Sequence, residues 1–258
     1  MPPLALLLAI AVGGGLSGGF QPETAPIVAV AYRGTPAGVP RADELAAIRA
    51  LGFTGVSWPQ SGTAGLAELS RLAASLDIAV VGAPGVLIKV DRAVPDLQAV
   101  LWRAIARGAK VITLDAGRSA GAGLADGKGN RLPWTRTAST FASQLAASPR
   151  LYMNLKRGPA VTIVSPPPAG PAGPAGVEVA LLDGGRAWVL IATSTARAQV
   201  RAVAQLPLGV PPALWLSLLD GSMMSMLKQP AGPRWTFTIG PGAALVYVID
   251  KAPKLGNW

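Results

Sequence analysis

Between residues 27 and 115 the chain switches repeatedly between two hydrophobic periods. Ile27 to Tyr32 is an unbroken apolar run, the pattern of a strand buried on both faces. Residues 41–51 follow with Leu45, Ile48 and Leu51 on one helical face, and Gly52 supplies the glycine that ends such a helix. Thr54 to Trp58 predicts a second strand. Leu66 to Leu76 predicts a second amphipathic helix, with Leu66, Leu69, Leu72 and Leu76 in register. Ile78 to Val81 and Val86 to Val90 predict strands three and four. Leu97 to Ala106 predicts a helix closed by Gly108, and Lys110 to Leu114 a fifth strand. Such alternation implies parallel strands joined by right-handed crossovers.

Residues 116–135 are glycine-rich and irregular, and 137–155 read as helix broken near Ser148-Pro149. Ala160 to Val164 is β-like. The Pro-Ala-Gly repeat of 165–176 reads as a semi-extended loop. From Val177 the pattern becomes short strands between turns. Val177 to Leu182 and Ala187 to Ala192 flank Asp183-Gly184-Gly185 as a hairpin. Residues 200–206, 213–218, 235–239 and 244–249 continue at a spacing that predicts a β-sandwich. The expected fold class is therefore α/β followed by all-β. A parallel domain of about five strands at 27–158 precedes a sandwich at 159–250.

Composition narrows the chemistry. Half of the 258 residues are hydrophobic, enough for a substantial core. There is no cysteine and no histidine, which excludes disulfides, Cys/His zinc sites, thiol nucleophiles and a Ser-His-Asp triad. Acid–base work falls to carboxylates, lysine, tyrosine or water. The net charge is +10, but the basic residues are scattered and the aromatics form no stacking platform, so nucleic acid is not the expected partner. No phosphate-loop spacing occurs, Asp126-Gly-Lys-Gly-Asn130 lacks the closing acid of a calcium loop, and neither a cofactor nor a metal is expected. At the N-terminus, Leu4 to Val12 is uncharged and apolar, with Ser17 and Gly19 at −3 and −1 of a cleavage before Phe20. Residues 1–19 thus read as a signal peptide, which implies a secreted or periplasmic protein. No other segment is long and apolar enough to span a bilayer.

The order of parts resembles a known clan. Leu51-Gly52-Phe53-Thr54-Gly55-Val56, with Trp58 at the next strand end, is similar to the opening of (β/α)8-barrel glycoside hydrolases, nearest to family 42 β-galactosidases. Residues 101–112 resemble the last barrel helix and strand of those enzymes, and 123–131 the loop that follows. Leu218-Leu219-Asp220-Gly221 and Gly240-Pro241-Gly242-Ala243-Ala244 look like the small sandwich attached to many glycosidases. The resemblance implies a barrel, yet a full barrel takes about 250 residues and eight strands. The shortfall lies between Val81 and Val86, where strands four to six would stand, together with the family's proton-donor Glu. The sheet is then expected to stay open or to be completed by a second copy in a homodimer.

Asp91 and Asp115 end the fourth and fifth predicted strands. On neighbouring strands about 4.8 Å apart they would approach the roughly 5–5.5 Å separation of a retaining carboxylate pair. Asp91 falls near the family nucleophile, as Asp where the family has Glu. Against this, Asp91 is followed by Arg92, and Asp115 is placed to cap the turn at Gly117. Tyr32, Arg33 and Trp58 sit at strand ends on the same rim, where aromatics suit sugar stacking or packing, and Trp134 is placed to reach it from the irregular segment. The four Glu residues, Glu23, Glu44, Glu68 and Glu178, fall off the predicted strand ends and read as structural. The function expected is a glycoside-hydrolase-like protein acting on carbohydrate, with Asp91 and Asp115 as catalysts. The alternative is a non-catalytic carbohydrate-binding or structural protein that keeps the scaffold.

Overall fold

The computed structural model describes residues 26–251 except 36, 59–64, 83–84, 91–93, 95, 119–120, 127–128, 165–175 and 213. The expected signal peptide and Asp91 lie outside the described residues. The first half holds β1 (Ile27–Ala31), α1 (Ala42–Ala50), β2 (Gly55–Ser57), α2 (Leu66–Ser75) and β3 (Ala79–Val81). It continues with β4 (Val86–Lys89), α3 (Leu97–Ala106), β5 (Val111–Asp115), α4 (Pro133–Ala147) and α5 (Pro149–Met153). Gly52 and Gly108 have φ of 85° and 88°, the left-handed turn that stops α1 and α3. Pro133 opens α4 at a first-turn position, where its missing N–H is harmless, so the helix starts ahead of the expected Thr137.

All five strands are parallel, in the order β3-β2-β1-β5-β4. The steps β1 to β2, β2 to β3 and β4 to β5 all move in the same direction across the sheet. Right-handed crossovers then place the helices on one face, as in a barrel and unlike a doubly wound sheet. The core follows this parity: Val28, Val30, Val56, Ile112 and Leu114 pack with Leu45, Ile48, Leu69, Leu101 and Trp102. The pairing of β1 with β5 joins first strand to last, so the cyclic order is open only between β3 and β4.

Only residues 82–85 link β3 to β4, though these are opposite edges of the sheet. Five Cα steps reach at most about 18 Å. A flat sheet would require about 19 Å across four strand spacings, plus about 10 Å along the strands. The sheet therefore curls until its edges approach. Small residues line the concave face, including Ala29, Gly55, Ser57 and Thr113. A Cβ at Gly55 would stand 2.5 Å from Ile27 Cγ2 and 3.2 Å from Ala29 Cβ. Gly55→Ala is expected to lower stability by about 1 kcal/mol, seen as a lower urea midpoint at unchanged slope.

The second half is antiparallel. Its strands are β6 (Lys156–Arg157), β7 (Thr162–Val164), β8 (Val177–Asp183), β9 (Ala187–Ser194) and β10 (Val200–Gln205), then β11 (Trp215–Ser217), β12 (Met223–Met224), β13 (Arg234–Ile239) and β14 (Ala244–Asp250). They form sheets ordered β13-β10-β7 and β12-β11-β14-β9-β8-β6. Leu181, Leu190, Ala204, Trp215, Trp235 and Phe237 fill the sandwich between them. Part of the outer face of the larger sheet is covered: Leu182, Val189, Ile191 and Val246 join the core of the α/β half through α3. No helix among the described residues is long and apolar enough to cross a membrane.

Candidate functional site

The carboxyl ends of the parallel strands form one rim, where barrel folds place their chemistry. Arg33 follows β1 by two residues and Asp115 ends β5, its neighbour. The register pairs Val30 with Leu114, so the next positions, Ala31 and Asp115, share the concave face and Arg33 follows one pleat further on. Its guanidinium donates two parallel bonds, Nη1 to Oδ1 at 2.9 Å and Nη2 to Oδ2 at 3.0 Å. Asp115 Oδ1 also accepts the Gly117 N–H at 2.9 Å, the turn cap expected from the sequence. The two side chains are 20% and 16% exposed, so water screens this fork only partly. Hydrogen bonding by Arg33 is the main cause that holds the Asp115 carboxyl below the usual carboxylate range, with help from Gly117 and the charge of Lys89.

β4 and β5 are neighbours, as the carboxylate-pair reading requires. The residue in register with Asp115 is nevertheless Lys89, and the Val90 N–H bonds the Asp115 carbonyl at 2.8 Å. Among the described residues it is a cation, Lys89, that stands beside Asp115 on β4. Among the described residues no three acidic side chains gather as a metal site. An ionised carboxylate with both oxygens taken is a poor proton donor and a hindered nucleophile.

The aromatic residues divide. Tyr32 is fully buried, its ring on the helix side with Val28 and Val30, and its hydroxyl accepts the Arg41 N–H at 2.8 Å. Burial, more than its Glu44 neighbour, raises its pKa. It offers no ring face to a sugar. Trp134 is also buried, in the first turn of α4 against Phe53 at 6.4 Å, and does not reach the rim. Trp58 is half-buried at the end of β2, its ring 6.0 Å from Tyr32, and its indole N–H finds no acceptor among the described residues. Of the aromatics expected to stack on a ligand, Trp58 alone keeps exposed surface at the strand ends.

Two residues here were not singled out from the sequence as parts of the rim. Lys89 is one; its place two residues before Asp91 on an edge strand was the available signal. Glu44 is the other. It lies in the first turn of α1, as the helix dipole favours, and its Oε2 is buried with no hydrogen-bond partner among the described residues, 3.7 Å from the Cβ position of Gly121. Gly121 is fastened to the segment just after β1, accepting from the Arg33 N–H at 3.1 Å and donating to the Gly34 carbonyl at 2.6 Å.

The sequence matches no protein-family model and no curated protein. Solved structures align loosely. A maltogenic α-amylase, AmyB from Thermotoga neapolitana, aligns at 8% identity and TM-score 0.43 over 77% of this chain and 51% of that one. The family 30 xylanase Xyn30A from Clostridium acetobutylicum aligns at 11% and 0.39 over 76% and 48%. The α-amylase GTA from Geobacillus thermoleovorans aligns at 9% and 0.42 over 80% and 62%. The chain spans about half the length of the first two. Superpositions this loose transfer neither residues nor a reaction.

Proposed function

We propose that this chain is a glycoside-hydrolase-like protein that binds carbohydrate at the strand-end rim and does not hydrolyse it. The observation that carries this reading is the bidentate Arg33–Asp115 pair, which occupies the carboxylate a hydrolase would use. The same polar pair, with Lys89 beside it and the surface of Trp58 at the next strand end, supplies charged hydrogen-bonding groups and an aromatic edge suited to a sugar. Relation to family 42 rests on the motifs around Leu51–Trp58 and residues 101–112. Export to the periplasm or medium rests on Leu4–Val12.

Two measurements test the reading. Purified protein incubated with a panel of 4-nitrophenyl glycosides is expected to show no turnover. Turnover that disappears in Asp115→Asn would instead support the hydrolase reading, with Asp91 as its partner. Titration with soluble glycans is expected to quench tryptophan fluorescence. Trp58→Ala should weaken the binding about tenfold, read by calorimetry because a fluorophore is lost. A glycan that binds Trp58→Ala as well as the wild type would remove this residue from the site.

A further inference from the structure

A cavity of about 540 Å³ lies away from the rim, between the C-terminal end of α3, the edge of β8 and residues 155–163. That volume is typical of a ligand cleft. Its origin is a strand pairing that stops early. Lys156 and Arg157 pair with Asp183 and Leu182, and the Gly158 N–H still bonds the Leu181 carbonyl at 2.9 Å. A Cβ at Gly158 would stand 2.7 Å from that carbonyl oxygen, so glycine permits the approach. Pro159 then has no N–H to give. The chain departs to form β7 in the other sheet, and a wedge opens beside Val177 to Ala180.

The backbone on that wedge has a definite orientation. Gly184 bonds Ala187 and Gly176 accepts from Thr195, so the even-numbered residues of β8 bond toward β9. Leu181, bonded to Gly158, belongs to the odd set, and so do Val179 and Val177. The N–H and C=O groups of Val177 and Val179 face the cavity, and no described residue bonds them there. Apolar side chains of Ile105, Val161 and Ile163 line the interior. At the border Arg107, Lys156 and Arg157 are exposed, whereas the carboxylate of Glu178 is shared between Arg103 at 3.2 Å and Arg107 at 2.9 Å.

We propose that this wedge is a docking site for an extended, acidic peptide that adds about three residues of strand to the part of the β8 edge that no described residue pairs. Main-chain bonds to Val177 and Val179 supply the register. Alternate apolar side chains enter the cavity, and the intervening carboxylates meet Lys156 and Arg157. The site is independent of the carbohydrate reading.

The test is fluorescence anisotropy on the full chain with three labelled hexapeptides. One alternates valine and glutamate, one alternates valine and lysine, and one is the glutamate peptide N-methylated at every second residue. The glutamate peptide is expected to bind saturably, at least tenfold more tightly than either of the others. The double variant Lys156→Glu/Arg157→Glu should reverse the preference for glutamate over lysine. Val179→Pro removes a donor that faces the cavity rather than β9 and should weaken the glutamate peptide at least tenfold. Should this variant fail to fold, the N-methylated peptide on wild-type protein asks the same question. Equal binding of the glutamate and lysine peptides overturns the proposal. So does unchanged binding after N-methylation, which would mark a simple anion site, and so does the absence of saturable binding.

Discussion

Trp102→Ala is expected to cost about 3–5 kcal/mol, roughly a fifth or more of the stability of an ordinary domain. Trp102 is fully buried, 5.0 Å from the Phe141 ring at 82° and 6.1 Å from Tyr152. Its helix, α3, touches α4 on one side and β8, β9 and β14 on the other. Truncation would open a void where the parallel sheet and the sandwich share one core, and it would remove an edge-to-face aromatic pair. Urea unfolding followed by far-UV circular dichroism and by tryptophan fluorescence should show one coincident transition at a much lower midpoint. Separate transitions for the two halves would mean that the core joining them contributes little. Trp102→Phe makes the contrast. The indole N–H has no partner among the described residues, so the phenyl ring keeps packing and discards an unsatisfied donor. Its expected cost is below about 1.5 kcal/mol.

Much of this arrangement was legible from local pattern. β1 is a bare apolar run, and α1 and α3 are closed by glycines whose positive φ the turns require. The alternation along Arg234–Ile239, exposed then buried throughout, is a sandwich strand by its period alone. β6 and β12 were not legible. Lys156-Arg157 and Met223-Met224 are two residues each, and their pairing is imposed by β8 and β11, not by any pattern of their own. The role of α3 was half visible. Leu97–Ala106 carries a single charge, Arg103, and is apolar nearly all round, as a helix covered on several sides must be. What covers its second face depends on sheets formed eighty residues later.

The site was legible in its parts and not in its pairing. Arg33 and Asp115 are 82 residues apart, and nothing local joins them. They meet because β5 returns to lie beside β1, a fact of topology. Tyr32 could have been placed correctly, since it shares the even parity of Val28 and Val30 and therefore faces the helices. The aromatic character of its strand end pointed the other way. Trp134 was expected in an irregular segment, whereas Pro133 starts a helix and turns the indole onto Phe53.

Arg33→Met is expected to cost about 2 kcal/mol at neutral pH, less than breaking a wholly buried pair because some water reaches both partners. The methionine keeps the apolar stem and removes the fork, leaving Asp115 with the Gly117 N–H and the more distant charge of Lys89. The pH dependence identifies the cause. Asp115 has its pKa lowered in the folded chain, mainly by Arg33, from an unfolded value of about 3.9. Between the two values the unfolded chain holds a proton that the folded chain does not, so acid favours unfolding. The pair's contribution is complete above the unfolded value and is lost as pH falls through the folded one. Urea midpoints of wild type and Arg33→Met should therefore stand apart at pH 7 and converge as acid protonates Asp115 in the folded chain. Asp115→Asn, with no carboxyl at that position, should flatten the same acidic limb. A gap between wild type and Arg33→Met that persists undiminished in acid would assign the loss to packing of the arginine stem. It would also leave Asp115 less firmly committed to Arg33 than the fork implies, and so more available for the chemistry that the binding reading denies it.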